Sequence, residues 1–134
     1  MKKDIPIKPV EDVIVAVLPR EDAIEGDNWE VYVINLKETP ITNVLISSRG
    51  YGTLNGKEIK TSVLRHFFEE VAGESYHMVE HIQPEVFPLN NEYWISFTYE
   101  DFLFDKRYTF VSESIAEKHL TRIPLMDRKG VMIR

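Results

Sequence analysis

Residues 93–110 read Tyr-Trp-Ile-Ser-Phe-Thr-Tyr-Glu-Asp-Phe-Leu-Phe-Asp-Lys-Arg-Tyr-Thr-Phe, and their alternation decides the fold class. Tyr93, Ile95, Phe97 and Tyr99 point one way while Trp94, Ser96 and Thr98 point the other. That is the period-2 pattern of a strand with one buried face. After Glu100-Asp101 the pattern resumes, with Phe102, Phe104, Tyr108 and Phe110 against Leu103, Asp105, Arg107 and Thr109. Two such runs around a two-residue polar link form a hairpin whose aromatic side chains meet across the strands. Lys106 falls on the apolar side of this register, which marks a bulge or a sheet edge where lysine discourages pairing with another chain.

Upstream the same chemistry repeats. Trp29 to Leu36 is rich in β-formers and apolar on both faces, as in a strand covered on two sides, and it stops at Lys37-Glu38-Thr39-Pro40. Ile41 to Ser48 and Asp12 to Leu18 read as further strands, the latter ending at Pro19 before the acidic loop 21–27. Arg49-Gly50-Tyr51-Gly52 then leads to Leu54-Asn55-Gly56-Lys57, whose Asn-Gly supplies the positive φ angles of a type I′ turn. This glycine stretch has neither the G-x-G-x-x-G spacing nor the Gly-Lys-Ser/Thr ending of a phosphate loop. Connections this short leave no room for repeated crossover helices. The expectation is a mostly β chain, an immunoglobulin-like β-sandwich with one or two short helices, folded as a single domain over residues 1–134.

Two segments stay open. Residues 61–72 read equally as a helix capped by Thr61-Ser62 or as a strand that turns at Ala72-Gly73-Glu74-Ser75 into a second strand, Tyr76 to Ile82. In residues 112–119, Ser114 and Glu117 have capping-box spacing ahead of a short helix.

The 134 residues contain no cysteine, which removes disulfide frameworks, thiolate metal sites and thiol nucleophiles together. The net charge of −6 is uneven: residues 59–101 carry −6 and residues 102–134 carry +3. An acidic body repels phosphate backbones, so nucleic-acid binding is disfavoured unless the basic end, with Lys118, His119, Arg122, Arg128, Lys129 and Arg134, acts alone. The longest aliphatic run, Val13 to Leu18, has six residues, far short of the roughly 20 that span a bilayer. Met1-Lys2-Lys3-Asp4 lacks an export signal's apolar core, so no membrane insertion and a cytoplasmic location are expected.

The sharpest chemical pattern is His77-Met78-Val79-Glu80-His81, which spells H-x-x-E-H. On a helix the two histidines would share a face and hold zinc, with Glu80 as general base of a hydrolase. Gly73 and Pro84 bracket the stretch, and β-formers fill it, so an extended reading is favoured. A strand would place His77, Val79 and His81 on one face and Glu80 on the other, separating base from ligands. There is no G-x-S-x-G, and Ser47-Ser48 sits in a β-rich run. No pattern demands a cofactor. Trp94, if solvent-facing, is an anchor for a partner. The candidate polar site gathers Arg49, Tyr51, Arg65 and His66 at strand-end loops. The expected role is a non-enzymatic protein-interaction or assembly module that binds a protein partner or forms a homodimer. The alternatives are the zinc hydrolase and a tRNA- or synthetase-associated accessory protein.

Several stretches carry a resemblance that spans nearly the whole chain: Lys2-Lys3-Asp4-Ile5-Pro6-Ile7, Ile34-Asn35-Leu36-Lys37, Ser47-Ser48-Arg49-Gly50-Tyr51-Gly52, Thr61-Ser62-Val63-Leu64-Arg65-His66-Phe67, Leu89-Asn90-Asn91-Glu92-Tyr93-Trp94, and Lys129-Gly130-Val131-Met132-Ile133. In these the chain resembles a small family of short, single-domain bacterial proteins, some of them labelled phenylalanyl-tRNA synthetase-like. The resemblance implies a bacterial protein and assigns no catalytic residue.

Overall fold

The structure is a computed structural model describing residues 9–134. The opening stretch 1–7, which carries the export argument and the first part of the resemblance, lies outside the described residues. Strands follow in the order β1 (Val13–Pro19), β2 (Trp29–Asn35), β3 (Ile41–Leu54), β4 (Lys57–Lys60), β5 (Leu64–Val71), β6 (Ser75–Ile82), β7 (Asn90–Tyr99), β8 (Phe102–Phe110), β9 (Thr121–Ile123) and β10 (Arg128–Ile133). They form two antiparallel sheets. One runs β6-β2-β1-β10-β9; in the other β3 has β7 and then β8 on one side, and β5 and β4 in succession on the other. No helix among the described residues is long and apolar enough to cross a membrane.

The mostly β sandwich expected from the alternating runs is what forms. Residues 91–99 pair with 102–110 in unbroken register, and both turn residues, Glu100 and Asp101, take left-handed φ values of 50° and 65°. Asn55 and Gly56 do the same between β3 and β4. Lys106 marks an edge and not a bulge. β8 is the outer strand of its sheet, and the Lys106 ammonium curls over Tyr108 to donate to the Arg134 carbonyl at 2.7 Å.

The core lies between the sheets, where Val15, Val17, Val31 and Val33 face Ile46, Ile95, Phe97 and Tyr108. Phe97 and Phe104 stack with centroids 5.2 Å apart. The Tyr108 hydroxyl is anchored by donating to the Val13 carbonyl at 2.7 Å. β2 is apolar on both faces because the first sheet is covered twice. On its far side Ile14, Ala16, Leu18 and Ile34 pack beneath Ile123 and Met126 of the β9–β10 hairpin.

The two open segments resolve by different physics. Residues 64–71 are strand, and the turn that follows is a crossover: β5 pairs with β3 in one sheet and β6 with β2 in the other. The capping box at Ser114 does not form. The helical piece is a single 3-10 turn, Glu117–His119, whose N-cap position is Ala116, with no side-chain cap. Among the described residues the Ser114 hydroxyl is buried without a hydrogen-bond partner. β3 extends past Ser48 to Leu54, because Gly50 and Gly52 continue the ladder against β4 and β7 close beside Leu89.

Candidate functional site

Two concavities sit on opposite faces of the β5–β3–β7–β8 sheet. On the outer face, register alone sets a row of four side chains. Arg65 pairs with Ser47, Ser47 with Trp94, and Trp94 with Arg107. The neighbouring row is Phe67, Leu45, Ser96 and Asp105. Three large apolar side chains are therefore left in solvent side by side: Phe67 at 58% exposure, Leu45 at 41% and Trp94 at 41%. Ser47 is small, so it becomes the floor of a hollow of about 300 Å³ walled by Val63, Trp94 and the arginines at 49, 65 and 107.

Each charged group here has a definite arrangement. Arg49 Nε donates to Glu92 Oε2 at 3.2 Å and its guanidinium lies 5.2 Å from the Tyr51 ring centroid. The Arg107 guanidinium stacks on the Trp94 indole at 4.4 Å, and the Trp94 N–H donates to Asp105. Arg65 and Arg107 have no ion-pair partner among the described residues.

On the inner face lies a cleft of about 450 Å³ at the edge of the sandwich, between β3, β6 and the segment joining β4 to β5. Glu80 is its centre. Its Oε1 accepts from Ser48 Oγ at 2.9 Å and from His66 Nε2 at 2.7 Å, and its Oε2 accepts from the Tyr93 hydroxyl at 2.9 Å. A carboxylate of the first sheet is thus bolted to three donors of the second. Nucleophilic catalysis needs serine bonded to histidine and histidine to acid. Here the acid stands in the middle, and Ser48 and His66 both donate to it.

A β-bulge makes this possible. The β2–β6 register shifts between Val31 and Tyr32, so Glu80 pairs with Val31 and His77 with Val33, both of which face the core. The strict alternation expected for the H-x-x-E-H stretch is corrected by that one residue: Glu80 shares the inward side with His77. His81 pairs with Glu30 and is exposed on the other side. His77 stacks near Phe68 at 5.3 Å, away from His81. Among the described residues no three His, Asp or Glu side chains converge as a metal site would require.

Of the residues singled out in the sequence, Arg49, Arg65 and Trp94 come together at the hollow, and Tyr51 lies beside Arg49. His66 does not join them. It follows Arg65 in a strand and so points through the sheet to Glu80. Arg107, Ser48 and Tyr93 were missed, and Glu80 was singled out only as the general base of a zinc site, not as the acceptor of these donors. Arg107 was readable as the polar neighbour of Trp94 once the hairpin register was drawn, whereas no local signal in the sequence joins Glu80 to its donors.

Burial, followed by the charge and hydrogen bond of Glu80, pushes the Tyr93 phenol well above its ordinary value. Burial alone raises Tyr108. Both protons are held more tightly in the folded protein than in the unfolded chain, where tyrosine titrates near about pH 10. Their stabilisation is complete below that pH and is lost progressively as pH rises from there through the raised folded-state values. Unfolding free energies from urea titration should therefore stay level to about pH 9 and then fall, at up to about 1.4 kcal/mol per pH unit for each phenol. A level profile to pH 11 would contradict the burial of these hydroxyls.

No protein-family model, curated protein or solved structure matches the chain.

Proposed function

We propose that the chain is a cytoplasmic, non-enzymatic interaction module of immunoglobulin-like design whose protein partner docks on the outer face of the β5–β3–β7–β8 sheet. The strand order supports the architectural part: β6-β2-β1 faces β5-β3-β7-β8, with a crossover from β5 to β6. The observation that carries the functional part is the contiguous exposure of Phe67, Leu45 and Trp94 beside unpaired arginines. Aromatic residues and arginine are the groups that dominate binding hot spots.

Charge complementarity supports an acidic partner. The chain has a net charge of −6, yet three arginines and a single glutamate line the hollow. An extended segment carrying acidic and apolar side chains is complementary to that face and is repelled by the rest of the molecule. In the C-terminal third, Arg128 is held by the part-buried Glu30, and Arg122 pairs with Asp127 at the surface.

Cross-linked capture from native cytoplasm should yield a partner joined to this face through an acidic stretch. Trp94→Ala with Phe67→Asp should weaken capture by about thirtyfold, the equivalent of roughly 2 kcal/mol for a hot spot. These side chains are exposed, so thermal stability should move by less than about 0.5 kcal/mol. Equal capture by the variant sinks the proposal, and sedimentation showing a dimer that Phe67→Asp dissociates would reassign the face to a second copy of the chain.

A further inference from the structure

The hollow beside Trp94 has a charge pattern that ordinary docking leaves unused. Its lining holds three guanidiniums and one carboxylate, and the carboxylate of Glu92 is already taken by Arg49. Two positive charges remain, on Arg65 and Arg107, with no ion-pair partner among the described residues. They stand at opposite ends of one cross-strand row, three strand spacings or about 14 Å apart at the backbone. Between them lie only the short Ser47 and the flat Trp94.

We infer that this hollow receives a phosphoryl group carried on a side chain of the docked segment, with Arg65 and Arg107 closing on it from either end. The inference rests on the docking face proposed above and names the group recognised there. Charge balance favours phosphate over a single carboxylate, because a phosphorylated side chain carries about −1.5 to −2 at pH 7 and offers three acceptor oxygens. Guanidinium forks match those oxygens in paired hydrogen bonds. Arg107 is already oriented by its stack on the Trp94 indole, which reduces the freedom lost on binding. The Trp94 ring also gives an aryl phosphate a surface to lie against.

The test uses the full chain with two probes, followed by two-dimensional NMR and calorimetry. Phenyl phosphate should shift the Trp94 indole and the Arg65 and Arg107 side-chain resonances. It should also bind several-fold more weakly at pH 5 than at pH 7.5, as the second phosphate proton returns near about pH 6. An extended peptide of Asp, Glu, Leu and one phosphotyrosine should bind at least tenfold tighter than its unphosphorylated twin. Arg65→Ala and Arg107→Ala should each erase most of that preference, while Lys129→Ala leaves it intact. Equal binding of the twins, still lost in Phe67→Asp, overturns the phosphate inference and keeps the docking face. Phenyl phosphate binding that Phe67→Asp leaves unchanged, with neither peptide bound, overturns the docking face and with it the inference as stated. Tighter association with anionic vesicles or RNA than with the phosphopeptide likewise overturns it.

Discussion

Glu80→Ala is expected to destabilise the fold by about 3–5 kcal/mol, the cost of removing one member of a buried, hydrogen-bonded charged network. For a domain of this length that lowers the melting temperature by about 10 °C or more. The side chain is 12% exposed and supplies the sole carboxylate on which Ser48, His66 and Tyr93 converge. Truncation strands all three donors at once. Tyr93 suffers most, since it is 2% exposed and its hydroxyl has no comparable access to water. Glu80→Gln should cost less, about 2 kcal/mol, because one oxygen still accepts while the new amide meets a hydroxyl that can reverse its role. Tyr93→Phe in the Glu80→Ala background should add little, as the lost bond is already gone. Urea denaturation of the four proteins checks all of this. If Glu80→Ala falls within 1 kcal/mol of the parent, the carboxylate is not the bolt between the sheets.

That bolt also shows where sequence reading stops. The β7–β8 hairpin was legible because period 2 and a two-residue turn are local signals, and both are satisfied without help from the rest of the chain. The β3–β4 turn was legible for the same reason, through Asn55-Gly56. β5 was ambiguous because its pattern is inverted: Phe67 is exposed while His66 faces inward to Glu80, so counting apolar positions finds no clean strand phase. At Glu80 the phase itself changes. A bulge in β6 rotates the residues after it, and periodicity cannot report a bulge that tertiary pairing creates. The donors of Glu80 lie 32, 14 and 13 residues away, so their convergence is a property of the packed sheets. The outer hollow was half legible. Arg49, Arg65 and Trp94 were marked by residue type, and Arg107 required only the register of a hairpin already recognised.

Gly73→Ala is expected to cost about 3 kcal/mol or more by overpacking, although it adds one methyl group at a surface turn. Gly73 sits where β5 leaves one sheet and β6 enters the other, pressed against the turn between β2 and β3. A Cβ there would fall inside the Glu38 carbonyl and within 2.8 Å of the Thr39 nitrogen. Those obstacles are backbone, so no rotamer change relieves them. The backbone is also pinned: Glu74 N–H donates to the Lys37 carbonyl at 2.8 Å, and the fully buried Asn35 amide reaches the Thr39, Val71 and Ala72 carbonyls at 3.0–3.2 Å. Relief requires the two turns to separate, which breaks the Asn35 bonds and withdraws Val71, two residues earlier, from the core. Gly56→Ala is the control. Nothing lies within 4 Å of its Cβ position, and only its φ of 77° resists, so its cost should stay near the roughly 1–2 kcal/mol of a left-handed residue. A Gly73 variant no worse than the Gly56 variant in urea would mean that the crossover yields without cost. In that case the two sheets are tied mainly by Glu80 and by the core between them.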